Sequence, residues 1–526
     1  MSLSDYSGSC SDTDSSDNDD YFMDDISSDD CDFDSNIPMN SLEDKNGTQW
    51  KTDPPIPTRT AAENTLQNRF GVAPWISQNV NNVADSFRVF FNEEMYAIIL
   101  KYTNQHGAHI FGNTWVELDQ IELNGFIGCV LFMGVHRDNL EPISELFGPD
   151  EGRKIYRNLF TLNRFRQIMR SLHFDDMETR DKRKEANKFC HIDELWSIWT
   201  KLLIESFRPL EDLCIDEQLV AFRGRCKFKQ YMPSKPAKYG IKFFLLADPE
   251  STYVSNISVY LGKRSNEAVR AVNVGKNIVL HLLEPFYGSG RNVVCDNFFT
   301  SVDLAEDLLQ RKITLVGTMR SNKREIPPYL RPKKNSQINS SLFVFHEKQM
   351  MLRYLPRKNK PVYMLCSSTT NVNTATEPPH KPDIIVYYNA VKCGVDTIAR
   401  LLASVSVKRI TRRWPLVVFF NMIDISFINA FCIYKNVLKS PNLVRRDFLK
   451  MMAEQLAGPL VSRKHQNVTP MNPLNVSRNL STNNTYSRCR YCVRKRDRKT
   501  TVRCDNCSSP CCKIHSKCIC TLCLNN

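Results

Sequence analysis

The run Trp414 to Tyr434 is apolar over 21 residues, long enough to cross a bilayer, and where it goes decides what the rest of the chain must be. Asn421, Asp424 and Asn429 interrupt it. Polar groups of this kind are costly in hydrocarbon, so the run is expected to be a buried core helix and no membrane span is expected. A helix that is apolar on nearly every side must be surrounded by other elements. With 526 residues, 42% hydrophobic and 10% aromatic, the chain has the material to do so in about two to four domains.

Charge is unevenly spread. Residues 1–50 carry 14 Asp and Glu against Lys45 alone, a net −13, which leaves +26 for residues 51–526. The first segment, 1–65, has too little apolar surface to offset ordering entropy and is expected to be a disordered acidic tail. The basic remainder suits a polyanion, because each neutralised phosphate releases condensed counterions. No apolar leader follows Met1, so an intracellular, reducing setting is expected.

Apolar residues at three- and four-residue spacing, as in Glu93 to Leu100 and Phe165 to Leu172, predict a helical domain over 66–211. From 212 to 322 the pattern changes to short β-rich runs, Ile241 to Ala247, Tyr253 to Tyr260, Val293 to Cys295 and Ile313 to Val316, with one helix over Val302 to Gln310. Residues 323–382 are rich in Pro, Lys and Asn and read as an insertion with weak strands at Leu342 to Phe345 and Val362 to Leu365. A strand over Asp383 to Tyr388 then opens the segment 383–405, a second helical part spans 406–470, and a polar linker, 471–487, precedes a cysteine-rich module, 488–526.

Three of these segments place an Asp at or just beyond the end of an apolar run: Ile215-Asp216-Glu217, Cys295-Asp296-Asn297 and Val395-Asp396-Thr397. Carboxylates presented by neighbouring strand ends and a helix start are hard oxygen donors that suit Mg²⁺ or Mn²⁺, and two such ions stabilise the attacking and leaving oxygens of an in-line phosphoryl displacement. Spacing alone does not single out these three among 57 acidic residues, most of which serve as caps, turn residues or solvated charges.

The surrounding words are more specific. Ile215-Asp216-Glu217-Gln218-Leu219 leads into Phe222-Arg223-Gly224-Arg225-Cys226 and then Tyr231-Met232-Pro233-Ser234-Lys235-Pro236-Ala237-Lys238-Tyr239-Gly240-Ile241-Lys242. Cys295-Asp296-Asn297-Phe298-Phe299-Thr300-Ser301, Val316-Gly317-Thr318-Met319-Arg320, Tyr387-Tyr388-Asn389, Gly394-Val395-Asp396-Thr397 and Arg413-Trp414-Pro415 follow in order. From about Phe70 onward the chain resembles piggyBac-type transposases. The resemblance implies an α/β RNase H-like catalytic domain split by an insertion and flanked by a helical dimerisation and DNA-binding domain, with Asp216, Asp296 and Asp396 as catalytic and metal-binding triad. It also implies double-stranded DNA as partner, transposon ends that are nicked and converted to hairpins, strand transfer into TTAA sites, a homodimer and a nuclear location. One departure stands out: members often carry a further Asp three residues beyond the third triad position, where this chain has Ala399. A catalytically silent, transposase-derived DNA-binding or chromatin-associated protein is therefore the alternative reading, and a zinc-dependent protein-interaction factor a third.

Arg223, Arg225, Lys227 and Lys229 alternate after the first triad segment and would share one face of an extended strand, where they could grip a DNA backbone or simply guard a solvated edge. Lys235, Lys238 and Lys242 would extend that surface. Asn297 is positioned to touch a nucleotide beside Asp296, whereas Phe298 is expected to pack in the core. His281 and His346 have no evident partner in the sequence and are expected to be structural.

Nine of the 19 cysteines crowd into the last 40 residues. Cys489-x2-Cys492, Cys504-x2-Cys507, Cys512-x2-His515 and Cys520-x2-Cys523 are four ligand pairs, enough for two tetrahedral Zn²⁺ sites. Their order resembles a cross-brace, the first and third pairs sharing one ion and the second and fourth the other. Cys511 and Cys518 are left over, and Cys511 could stand in for Cys512. Arg490, Arg494, Lys495 and Arg496 make the first loop basic, which suits DNA or a nuclear localisation signal.

Overall fold

A computed structural model describes residues 41–55, 70–150, 152–262, 273–440, 442–467, 487–490, 492, 498–502 and 510–515. Contacts divide the chain into a large unit ending at Arg463 and a small one beginning at Lys464.

In the large unit the predicted helical segment is helical. Helix α1 (Glu93–Phe111) starts at Asn92, whose side chain accepts from the Met95 amide at 3.1 Å. Helix α2 (Gln120–Val135) starts at Asp119 and is buried over nearly its whole length. Helices α3 (Leu162–Ser171) and α4 (Asp193–Ser206) follow.

The central sheet begins with β1 (Asp212–Ala221), β2 (Tyr239–Ala247) and β3 (Val254–Val259), paired antiparallel. Helix α5 (Val274–Leu283) leads to β4 (Asn292–Cys295), parallel to β1, and helix α6 (Val302–Gln310) to β5 (Thr314–Met319), parallel to β4. The spatial order β3-β2-β1-β4-β5 is the RNase H-like arrangement. The four predicted strand runs and the helix over Val302 to Gln310 fall on β2 to β5 and α6.

The segment after β5 adds to the same sheet. Strands β6 (Ser341–His346), β7 (Gln349–Arg357) and β8 (Lys360–Cys366) form a meander, and β8 pairs antiparallel with β5. The two weak strands read from sequence fall on β6 and β8, and between them lies β7, mostly buried, whose apolar pattern is broken by Gln349 and Arg353, themselves buried.

The strand expected over Asp383 to Tyr388 is instead helix α7 (Asp383–Val391). Ile384, Ile385, Tyr388 and Val391 are buried while Val386 is 53% exposed, a helical rather than an alternating pattern, and Pro382 sits at the N-cap where its fixed φ is tolerated. Helices α8 (Gly394–Ser404) and α9 (Trp414–Leu438) follow, and most of α10 (Arg445–Asn467), up to Arg463, completes the unit.

Helix α9 is the predicted core helix. It is long and apolar enough to cross a membrane, but 94% of its apolar window is buried within the fold. Its polar residues are bonded to neighbours: Asn421 to Gln218 of β1, Asn429 to both backbone groups of Val254 in β3, and Asp424 to the Ser406 hydroxyl and the Val407 amide. The Trp199 indole donates to Ser426 at 2.9 Å. Arg413, just before α9, donates to the carbonyls of Met169, Arg170 and Leu172 and so caps the end of α3. Gly128 of α2 lies against Ala453 and Ala457 of α10, where any Cβ would meet backbone at 2.9 Å.

Residues 41–55 depart from the expectation of a disordered tail through residue 65. They form a strap along the outer edge of the meander. Trp50 is 2% exposed in the sheet core, and its indole donates to Asp44 at 3.2 Å. Asp44 also accepts the Asn46 and Thr48 amides, and Lys51 exchanges two backbone bonds of 2.8 Å with Phe345 of β6. One aromatic anchor and one Asp-closed turn are invisible in a composition dominated by Ser and Asp. The remainder of the predicted tail, 1–40 and 56–65, lies outside the described residues.

Trp50→Ala should lower the stability of the large unit by about 3 kcal/mol through the cavity it leaves, read from denaturant unfolding of the full chain. A loss below about 1 kcal/mol would show that Trp50 does not anchor the strap.

Candidate catalytic site and cysteine cluster

Register sets the first two carboxylates. Cys214 lies opposite Val294 and Ile215 opposite Cys295 in the parallel pair β1–β4, so Asp216 and Asp296 follow at the same level and point to the same face. Asp296 closes a turn at the C-terminal end of β4: its carboxylate accepts the Phe298 amide at 2.9 Å, and its carbonyl accepts the Thr300 hydroxyl at 2.8 Å. Gly317 of β5 lies under that turn, where a Cβ would run into Thr300.

The third carboxylate comes on a helix. Asp396 is exposed in the first turn of α8, where the helix N-terminus favours a negative charge. Gly394 rests on the Cys214 sulfur and on Pro249, with no room for a side chain. This seats the start of α8 two residues along β1 from Asp216. The fold thus brings Asp216 and Asp296 side by side and carries Asp396 to the same end of the sheet.

The electrostatics fit an acidic cation site. Burial, with the neighbouring Asp296 charge adding to it, pushes the Asp216 carboxyl up to about 7 even though the Lys235 ammonium and the Glu217 amide pull it down. Burial also raises Asp296, against the Phe298 amide and the Arg320 guanidinium. Carboxylates held in this way favour a divalent cation that repays both burial and mutual repulsion.

The basic residues divide into two groups. The expected strand over 223–229 is absent: β1 ends at Ala221, and Phe222 and Phe228 turn inward to the helical core, bending the chain at Gly224. Arg223, Arg225 and Lys227 are nevertheless exposed, whereas Lys229 donates to the Gly224 carbonyl at 3.2 Å. Lys238 is exposed; Lys242 and Lys235 lie 3.1 and 4.0 Å from Glu217, Lys242 on the sheet face opposite Asp216 and Lys235 in the loop before β2, close enough to act on Asp216 as well. Asn297 accepts from Arg320 Nε at 3.1 Å. Phe298, expected in the core, is 37% exposed, with the Lys242 ammonium 5.2 Å from its ring.

Three further residues border the site. Arg320 follows β5, Thr318 continues the row of Asp216 and Asp296, and the Tyr388 hydroxyl lies 3.4 Å from the Thr318 hydroxyl. Burial, with Asp296 and Asp216 nearby, raises the Tyr388 hydroxyl above its ordinary range. The words Gly317-Thr318-Met319-Arg320 and Tyr387-Tyr388-Asn389 were visible in the sequence, but nothing in them tells that α7 crosses the sheet face that carries Asp216 and Asp296.

In the small unit Cys489, Cys492, Cys512 and His515 converge, with all ligand atoms within 4.8 Å of one another. Cys492 and Cys512 sulfurs are 3.7 Å apart, and His515 Nδ1 is 3.6, 3.6 and 3.3 Å from Cys489, Cys492 and Cys512. A tetrahedron with Zn–S near 2.3 Å and Zn–N near 2.0 to 2.1 Å has edges of about 3.5 to 3.8 Å, so the donor set and its spacing fit zinc. These are the first and third ligand pairs. Cys511 is buried beside them, its amide bonded to Val502 and its carbonyl accepting from Thr500. Arg490 is exposed; Cys504, Cys507, Cys518, Cys520, Cys523, Arg494, Lys495 and Arg496 lie outside the described residues.

Comparisons with known proteins agree with this architecture. A family model described as Transposase IS4 matches residues 83–431. Human PiggyBac transposable element-derived protein 3 is 27% identical over 247 residues, 44% of this chain and 39% of that protein. Human PiggyBac transposable element-derived protein 2 is 21% identical over 370 residues, 66% of this chain and 61% of that protein. The chain therefore spans less than two thirds of the length of these curated relatives. A cryo-EM structure of a piggyBac transposase synaptic complex with hairpin DNA superposes with a TM-score of 0.75 at 30% identity, covering 86% of this chain and 100% of that one. By sequence and by fold, the chain belongs to the piggyBac-type transposase family.

Proposed function

We propose that this chain is a divalent-metal-dependent DNA transposase that cuts the ends of a mobile element, passes through a hairpin and joins the element at TTAA sites, acting as a nuclear homodimer. The observation that carries this reading is the level placement of Asp216 and Asp296 on adjacent parallel strands, with the start of α8, two residues before Asp396, seated on Cys214 of the same strand as Asp216.

Asp216, Asp296 and Asp396 would hold Mg²⁺ or Mn²⁺, which when bound activates the attacking oxygen and stabilises the leaving one. In the first cut a water oxygen bonds to the phosphorus, the bond to the 3′ oxygen breaks, and the freed 3′ hydroxyl then attacks the opposite strand in the same way. Arg223, Arg225, Lys227 and Lys238 are exposed cations suited to phosphates, contacts that position DNA without reading its sequence. Asn297, oriented by Arg320, is the polar group nearest along the chain to Asp296 for contact with a nucleotide.

In the small unit Cys489, Cys492, Cys512 and His515 would hold one Zn²⁺, and Cys504, Cys507, Cys520 and Cys523 a second. The basic loop with Arg490, Arg494, Lys495 and Arg496 gives the module a positive charge suited to DNA phosphates.

A second reading, a silent DNA-binding descendant of a transposase, is favoured by Ala399. It lies one turn beyond Asp396 in α8 and offers no ligand.

Asp216→Asn should abolish nicking of a TTAA-flanked end in Mn²⁺ while leaving end binding within about twofold of the parent chain. If the parent chain itself binds ends without nicking them, the silent reading holds.

Because the folded-state Asp216 carboxyl sits near 7 and an unfolded one near 4, the folded chain binds the extra proton between those values. Stability from this group is full below pH 4 and is lost as pH rises toward 7. Divalent cation displaces that proton, so Mn²⁺ should raise the melting temperature more at pH 8 than at pH 6, and Asp216→Asn should flatten the difference. Equal shifts at both pH values in the parent chain would rule out Asp216 as a ligand.

Native mass spectrometry should find two zinc ions per chain, falling to one in Cys512→Ser. An unchanged zinc count in that variant would refute the ligand set.

A further inference from the structure

The catalytic face of the sheet carries two polar rows. One is Asp216, Asp296 and Thr318, level across β1, β4 and β5. The other lies four residues earlier on the same strands and the same face: Asp212 opposite Asn292, and Asn292 opposite Thr314. The two rows are about 13 Å apart along the strands. Between them runs an apolar row, Cys214, Val294 and Val316.

The second row is fully knitted. The Thr314 hydroxyl donates to Asn292 Oδ1 at 2.8 Å, the Asn292 amide donates to the Tyr387 hydroxyl at 2.7 Å, and the Tyr387 hydroxyl donates to Asp212. Asn292 and Thr314 are 5% and 4% exposed, so a partner lost here leaves a polar group buried. Tyr387 belongs to α7, which reaches the sheet nowhere else through so many polar bonds.

Adjacent tyrosines of one helix therefore stand on the two rows. Tyr387 is bonded into the Asp212 row, and Tyr388 is set beside Thr318 in the catalytic row. The side chains buried between them, Ile384, Ile385 and Val391, cover Val294 and Val316. Two residues, Lys392 and Cys393, join α7 to α8, and Asp396 is the third residue of α8. A connection that short transmits any slide of α7 to Asp396, while α8 itself meets β1 at its first turn, where the Gly394 and Val395 amides face the Cys214 sulfur, and packs Val395, Ile398 and Leu402 into the helical core.

We propose that Tyr387, anchored through Asp212 and Asn292, is a positioning residue that sets the register of the α7–α8 hairpin on the sheet and thereby holds Asp396 over Asp216 and Asp296. This rests on the reading of those three residues as one cation site, but the clamp itself does not need catalysis to be detected. Tyr387 touches no reacting atom, and its role is to fix where a carboxylate on the next helix stands.

The test uses the full chain with Tyr387→Phe, which keeps the ring and removes only the hydroxyl, and Asp212→Asn, which keeps an acceptor oxygen for it. Hydrogen exchange of the amides around 394–398 should quicken about tenfold or more in Tyr387→Phe, with the amides of α1 and α9 unchanged, and stay near the parent rate in Asp212→Asn. The Mn²⁺ concentration that gives half of the thermal shift should rise by a similar factor in Tyr387→Phe. Unchanged exchange at 394–398 overturns the proposal whatever happens to strand cleavage, and so does quickened exchange spread evenly over α1 and α9. Quickened exchange confined to 394–398 upholds the clamp even in a chain that neither binds Mn²⁺ nor cuts DNA, an outcome that would instead remove the transposase reading.

Discussion

Gln218 and Asn421 exchange two side-chain hydrogen bonds of 3.1 Å in the core of the large unit, and the geometry of the site depends on that pair. Gln218 is two residues from Asp216 on β1, and Asn421 lies in the buried stretch of α9. Neither amide has water to fall back on, so each is satisfied only in one register of the helix against the strand. Asn429 repeats the arrangement two strands further out, answering both backbone groups of Val254. A purely apolar α9 would pack on the sheet with a choice of rotations; this one has a single setting, and it ties the helical part to the strand that carries the first carboxylate.

From that tie the remaining placements follow in sequence. Parallel pairing of β1 with β4 puts Asp296 level with Asp216, and the glycine at 394 lets α8 descend onto Cys214. The result concentrates negative charge where burial already opposes it, and so the Asp216 carboxyl is displaced upward instead of being relieved by a close arginine. Structural carboxylates elsewhere in the chain are treated differently. Asp175 is met by Arg180 and Arg183 at 2.5 and 2.8 Å, and Asp138 by Arg153 at 2.6 Å. The contrast separates acids paired within the fold from acids that burial leaves without a close arginine, the pattern the proposed cation site needs.

Much of this was legible in the chain itself, and the failures have common physical causes. The apolar run with three interrupting polar residues had to be a core helix, and the words around Asp216 and Asp296 announced the sheet. Asp383 to Tyr388 misled because a six-residue apolar run carries no decisive period, and only burial of Ile384, Ile385, Tyr388 and Val391 against one face reveals the helix. Arg223 to Lys229 alternates as a strand would, yet Phe222 and Phe228 are claimed by the helical core and the backbone turns. The strap was hidden because one tryptophan decides it. In the site, Asp216 and Asp296 could be named from sequence, but Tyr388, Thr318 and Arg320 could not, since their proximity exists only after α7 has crossed the sheet.

Ala399 gains its meaning from this geometry. Positions 396 and 399 share a face of α8, so a carboxylate at 399 would stand about 5 to 6 Å from Asp396 as measured between Cβ atoms. It would add a donor and also a further like charge to a site already strained by Asp216 and Asp296. Glu217 offers no substitute, because it points to the opposite face of β1 and is held by Lys242. On the proposed reading the three carboxylates would supply the cation's protein ligands unaided, and a site with one donor fewer would tolerate less error in where Asp396 stands. With alanine at 399, such a site would lean more on whatever fixes α8 in place, the proposed α7 anchor at Tyr387 among them.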